Sequence, residues 1–268
     1  LPTFGLLSSI RLAALFSLMI ALYAIDRLKA LAIKRNEQVL SLPEEKTGHI
    51  ELSPYNAWQQ RRLGLAALWL ISVGGIVSLA LEITNMHMLA IIAGNSVYAF
   101  GLMLGTFLLG LGIGSFAYGK LRFLTTDPII AAIAQLGIFF TIVISAFQWD
   151  GLAAYFSFFG PMQEYQHLDF LAREIIRSGV CAIIMMPSAV FIGLGYPATM
   201  AMASDWLKNR GDATGLGIAG LCNTLGNIAG VLLAGFVFLN WWGSNRLLLI
   251  LAVISLLLAP YMALAARV

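Results

Sequence analysis

The chain has 268 residues, 60% of them hydrophobic and 11% charged, with a formal net charge of +3 and a mean hydropathy of +0.86. A soluble domain of this length needs a larger charged fraction to cover its surface, so the composition excludes an ordinary water-soluble globule. The pI near 9.0 does not imply a nucleic-acid partner: no basic stripe with interleaved aromatics occurs, and the Lys and Arg residues crowd into a few segments between apolar runs.

Several of those runs approach or exceed the ~18–20 residues needed to cross a ~30 Å hydrocarbon core. The expected fold is therefore all-α, a polytopic integral membrane bundle with about seven transmembrane helices. The first, Ile10–Ile25, carries Arg11 near its start, an arginine placed to snorkel to the interface. Residues 1–25 read as a first transmembrane helix. Asp26–Arg62 follows as a charged linker, with Pro43, Glu44, Glu45, Lys46 and Pro54 marking it as solvent-exposed.

Residues 63–268 form the main membrane domain. Its expected spans are Leu63–Ile83, Ser96–Tyr118, Pro128–Phe147, Ile175–Ala203, Leu216–Leu239 and Arg246–Ala265. Trp149–Arg173 is not a clean span. Its aromatics precede Gly160-Pro161 and then Glu164, His167 and Asp169, so it reads as an element lying in the outer interface.

Orientation follows from the basic residues. Seven lie in the linker after the first span, and Lys120, Arg122, Lys208, Arg210 and Arg267 fall on the same side, twelve in all. The opposite side has four, Arg11, Arg173, Arg177 and Arg246. The richer side, including linker 26–62, is expected in the cytoplasm, which puts Leu1 outside and suggests that further chain precedes it.

Candidate functional positions cluster in four places. In the third span, Gly101 with Gly105 and Gly110 with Gly114 have the four-residue spacing that lets two helix backbones approach closely. In the sixth, Ala219, Asn223, Gly226, Gly230 and Ala234 share one helical face. Asn223 and Asn227 sit within that ridge, where an unpaired amide is costly; an interhelical hydrogen bond or a ligand would satisfy them. Glu82 lies at the edge of a span with apolar sequence on both sides, and His87 follows five residues later. The pair reads either as an interfacial contact holding the turn into the next span or as a cation or proton site. In the fifth span, Gly193, Gly195 and Pro197 predict a kinked or broken helix, because proline removes a backbone donor and frees the carbonyl near Gly193.

Other chemistry is not written here. His49, His87 and His167 are scattered, so no metal site is expected. No phosphate-binding loop or nucleophile elbow occurs, so neither a catalytic residue nor a cofactor is expected. Cys181 and Cys222 lie inside apolar runs and read as small buried hydrophobes rather than as a disulfide.

Four separated motifs carry a resemblance, in preserved order over about Leu63–Ala265. Leu81-Glu82-Ile83 through His87 leads into Gly94-Asn95-Ser96-Val97-Tyr98-Ala99-Phe100. Phe107-Leu108-Leu109-Gly110-Leu111-Gly112-Ile113-Gly114-Ser115 follows, then Gly193-Leu194-Gly195-Tyr196-Pro197. Last comes Asn223-Thr224-Leu225-Gly226 with Gly230 and Leu232–Gly235. This text resembles the membrane-embedded half of fused spermidine-synthase-like proteins, a family with a Glu-to-Arg spacing of five, Gly-Ser-Ser-Val-Tyr-Ala-Phe, Gly-Ala-Thr-Phe-Pro and Asn-Thr-Leu-Gly. His87 stands where that family usually has arginine. The family's soluble aminopropyltransferase domain, with its nucleotide-binding glycine motif and catalytic aspartates, has no counterpart in this chain.

The resemblance implies a membrane module rather than a polyamine-forming enzyme. The expected role is a non-catalytic, multi-pass protein of the bacterial inner membrane. It would dock a protein partner, a synthase-like domain or a larger membrane complex, through its glycine-rich faces. The alternatives are a transporter-like module passing a small cation such as a polyamine, with Glu82, His87, Asn95, Tyr98 and Asn223 as ligand or proton candidates, and the membrane part of an aminopropyltransferase whose catalytic domain lies elsewhere.

Overall fold

A computed structural model of the chain describes residues 57–93, 97–159, 170–207 and 212–267. The expected first span, nearly all of linker 26–62, Asn95 and the segment 160–169 lie outside the described residues. Within them every element is a helix and there is no strand. We number the elements α1 (Ala57–Ala93), α2 (Val97–Leu121), α3 (Asp127–Phe159), α4 (Phe170–Leu207), α5 (Asp212–Leu232) and α6 (Leu239–Arg267). A short π-helical stretch, Leu233–Phe238, joins the last two.

Five helical stretches are long and apolar enough to cross a bilayer: Gly64–Ala90, Val97–Leu121, Asp127–Trp149, Glu174–Ser204 and Gly215–Ala263. The last is 49 residues. At 1.5 Å per residue it would measure about 74 Å, more than twice a ~30 Å hydrocarbon core. It is interrupted at Gly243, whose φ of 72° and ψ of 167° are not helical. The break falls between the expected sixth and seventh spans. The aromatic segment after Trp149 departs from expectation, because α3 continues unbroken as far as Phe159.

The physics of lipid is visible in the polar side chains. Thr84 donates to the Ala80 carbonyl (2.7 Å), Thr106 to Leu102 (2.7 Å), Ser72 to Leu68 (2.9 Å) and Ser255 to Leu251 (3.1 Å). A hydroxyl that bonds back one turn satisfies itself inside its own helix, which hydrocarbon requires. Large apolar side chains face outward in every span: Phe147 is 79% exposed and Trp241 72%, with Phe116, Leu108 and Phe236 similar. In water such a surface would aggregate, whereas in a bilayer it is the solvated one. Basic groups lie over rings where α1 starts and α2 ends: Arg62 is 4.7 Å from the Trp58 ring centroid and Lys120 is 5.0 Å from that of Phe116.

The turn from α2 to α3 is tightly made. Ile129 and Ile130 donate to the Thr126 carbonyl at 3.0 and 3.1 Å, and the Tyr118 hydroxyl donates to Asp127 Oδ1 at 2.9 Å. Asp127 and Pro128 both suit a helix's first turn, one by its charge and the other by its missing N–H.

Two buried clusters stack along the bundle. One joins Leu81 and Leu89 of α1, Phe107 of α2, Ile142 of α3, Met185 of α4 and Leu247 and Leu251 of α6. The other joins Ala67 and Leu70 of α1, Tyr118 of α2, Ala131 and Ala134 of α3, Leu194 and Ala198 of α4 and Met262 of α6. Burying these side chains yields about 25 cal/mol per Å² only relative to water, so inside lipid their role is shape complementarity. An open chamber is lined by residues of both clusters, Val77, Phe107 and Ile138 from the first and Leu70 and Ile71 from the second.

Candidate functional site

The chamber has a volume of about 340 Å³, at the small end of the range for ligand sites. Five helices line it, α1 over residues 70–79, α2 over 107–115, α3 at 135 and 138, α4 over 192–199 and α5 at 223 and 227. Each contributes from well inside its apolar stretch, so the chamber lies within the bilayer's depth.

Glycines bring these walls together. On the α1–α5 seam, a Cβ on Gly230 would meet the Ile76 carbonyl at 2.5 Å, and one on Gly226 would collide with the Ser72 carbonyl. A Cβ on Gly75 would lie 2.8 Å from Asn227 Oδ1 and 2.9 Å from the Asn223 carbonyl. Only backbones this close carry both asparagines to the chamber wall. On the α2–α4 seam, a Cβ on Gly114 would collide with the Val190 carbonyl and one on Gly193 with that of Leu111. Gly195 lets Ala134 of α3 approach, its missing Cβ lying 2.9 Å from that methyl, which sets Gln135 against α4. Gly74 differs. Nothing lies within 4 Å of its absent Cβ, because it faces the open space.

The helix through Gly193, Gly195 and Pro197 is continuous: α4 runs from Phe170 to Leu207 with both Pro187 and Pro197 inside it. Of the expected kink or break, the break is absent. Pro197 does remove the partner of the Gly193 carbonyl. Ser115 of α2 supplies a replacement, its hydroxyl donating to that oxygen at 3.1 Å. The donor lost in one helix is provided by its neighbour, so the chain stays helical.

Seven polar side chains face the chamber: Ser78, Ser115, Gln135, Tyr196, Thr199, Asn223 and Asn227. Ser115 is used as above, and Thr199 bonds back to the Gly195 and Tyr196 carbonyls at 3.0 and 2.9 Å. The three carboxamides and Tyr196 make no hydrogen bond with the described residues. Gln135 is only 6% exposed and its Oε1 is buried without a partner. Among the described residues, no Asp, Glu, Lys, Arg or His lines the chamber. Chemically it offers neutral donors and acceptors framed by aliphatic walls such as Leu70, Leu111 and Ile138.

The other expected candidates are dispersed. Glu82 is 8% exposed, one turn beyond Ser78 on α1, but does not line the chamber. His87 is exposed and lies about 140° around the helix from it. The two form no ion pair, and α1 continues to Ala93, so neither sits at a turn. The ion pair seen among the described residues is Arg177 with Glu174, at 2.6 Å. Tyr98 is 54% exposed at the start of α2, away from the chamber, whereas Asn223 lines it. Gly101 and Gly105 face outward with open space, unlike Gly110 and Gly114, which meet α4.

Gln135, Tyr196, Ser78, Ser115 and Thr199 were not foreseen in the sequence. Gln135 carried the clearest signal, a lone amide in the apolar run from Ile129 to Phe140. The described residues contain no cluster of three or more metal-binding side chains, and Cys181 and Cys222 are free thiols. Compared with known protein families, with curated proteins and with solved structures, the chain finds no match.

Proposed function

We propose that this chain is a membrane-embedded module that holds or passes a small molecule in the chamber between α1 and α5. One observation carries the reading: Gln135, Asn223, Asn227 and Tyr196 line a single space with no hydrogen bond to the described residues, and the Gln135 Oε1 is buried there. Unmet amides within hydrocarbon cost several kcal/mol each by transfer scales, roughly 4–8 in the extreme, so the space is built to contain polar matter. The test is thiol reactivity in native membrane vesicles, with Cys181 and Cys222 replaced. Gly74→Cys is expected to react with a small uncharged methanethiosulfonate at least about tenfold faster than Gly112→Cys, which faces outward, because thiolate forms only where water reaches. Equal rates would remove the chamber from consideration. Glu82→Gln is expected to leave the Gly74→Cys rate unchanged, since Glu82 is outside the lining.

A docking role has its own support. Gly101, Gly105, Gly112 and Gly119 form an outward ridge on α2 with nothing near their missing Cβ atoms. Glycine weakens a helix by up to ~1 kcal/mol relative to alanine, and an approaching helix backbone is the usual return for it. This face is where a synthase-like domain's membrane anchor or another subunit would sit if the chain belongs with the spermidine-synthase-like membrane modules. The four sequence motifs support that kinship. A polyamine is not part of this proposal, because no described residue lining the chamber is a carboxylate.

The basic residues support a bacterial inner-membrane orientation with the α2–α3 turn in the cytoplasm. In a background lacking Cys181 and Cys222, Thr125→Cys should be labelled by a membrane-impermeant maleimide in inside-out vesicles and spared in intact cells. The reverse pattern would invert the topology.

A further inference from the structure

We infer that the chamber selects an uncharged, hydroxyl-bearing ligand, a polyol or its monoacyl ester, and that Gln135 is the residue that selects it. This rests on the binding role proposed above and names the chemistry of its ligand.

Charge decides first. Among the described residues no ionised group lines the space, and an ion moved into a low-dielectric interior without a counter-charge loses far more solvation than neutral dipoles return. Amines and carboxylates are therefore poor occupants. The polar wall decides next. Gln135 from α3 and Asn223 and Asn227 from α5 are carboxamides, each with a donor end and an acceptor end that a half-turn of the last bond exchanges. A compact neutral group able to answer either end with a single atom is a hydroxyl, which donates and accepts at once. Gln135 is the deepest of the three and holds an oxygen with no partner among the described residues.

The chamber also has a side toward lipid. Tyr196 is 41% exposed, Ser115 is exposed, and α1 and α2 scarcely touch although they are consecutive. A hydroxylated headgroup entering from the bilayer and a free polyol entering from water share the same chemistry, so the test must separate them.

The full chain, carrying Gly74→Cys and lacking its native cysteines, is placed in phosphatidylcholine nanodiscs, and the methanethiosulfonate rate is read with each probe. Glycerol, 1-monooleoylglycerol, oleate and oleylamine are compared. At saturation, glycerol or monooleoylglycerol is expected to slow the reaction at least about fivefold, while oleate and oleylamine leave it within twofold. Protection by glycerol indicates an aqueous source; protection by monooleoylglycerol alone indicates the bilayer. Gln135→Leu is expected to abolish protection, and Gln135→Met, which keeps length and volume, guards against a folding defect. The proposal is overturned if the charged probes protect as well, if neither neutral probe protects, or if Gln135→Met retains full protection. In each of those cases a Gly74→Cys rate still above that of Gly112→Cys leaves the chamber itself standing. If the two rates match, the binding role fails first.

Discussion

Gly114→Val is expected to lower the thermal unfolding midpoint of the purified chain sharply, whereas Gly105→Ala in the same helix is expected to leave it unchanged or raise it slightly. Both glycines lie on α2, and in isolation either substitution improves helix propensity, alanine more than valine. Their surroundings differ completely. A side chain at 114 would lie 2.7 Å from the Leu194 nitrogen and 2.9 Å from the Gly193 carbonyl carbon, both rigid helix backbone. At 105 it would meet nothing within 4 Å. Overpacking of this kind costs about 1–3 kcal/mol, occasionally more, when the neighbour cannot yield. Among the described residues α2 packs chiefly on α4 and only slightly on α1, so little else holds it in place. Moving α2 would also break the Ser115 hydrogen bond to Gly193, leaving that carbonyl exposed to hydrocarbon, and would widen the chamber at Phe107 and Leu111. Melting followed by intrinsic fluorescence in a mild detergent reads both effects. Equal midpoints for Gly114→Val and Gly105→Ala would contradict the seam.

Gly243→Ala should produce the second large loss, for a backbone reason. The residue has φ 72° and ψ 167°, a region essentially reserved for glycine. Forcing an L side chain there costs on the order of 1–3 kcal/mol even though the space around it is open. The consequence is topological. With Gly243 in this conformation the 49-residue apolar stretch is not one rod, and its last part packs against α1 and α3. The neighbouring π stretch, with Leu239 donating to the Ala234 carbonyl five residues back, and the stacked rings of Phe238 and Trp242 at 4.7 Å prepare the chain for this change of course. Gly243→Ala should therefore increase protease cleavage near Trp241–Asn245 and lower the melting midpoint, while Gly235→Ala, at an open helical position nearby, should not. Unaltered cleavage would mean that the break is maintained by packing alone.

Some of this molecule was legible from residue order because the relevant physics is local. Apolar runs longer than a bilayer is thick have few alternatives to spanning it, and the charged segments between them mark the ends. Spacing of four residues also identified Gly110, Gly114, Gly226 and Gly230 as positions of close approach, since one helical face is a property of a single helix.

Tertiary structure decided what depends on a second helix. Gly101–Gly105 and Gly110–Gly114 have the same spacing, and only the position of α4 makes one pair a seam and leaves the other outward. Pro197 is a sound reason to expect a kinked or broken helix, and the helix is continuous. Ser115, 82 positions earlier in the chain, donates to the carbonyl that Pro197 leaves without its helical partner. Glu82 drew attention as the costliest residue in an apolar run, yet the chamber formed one turn away, around Gln135, Asn223 and Asn227. Which amides converge is fixed by the relative height and rotation of α1, α3 and α5. Helical periodicity describes each of those rods and says nothing about the register between them.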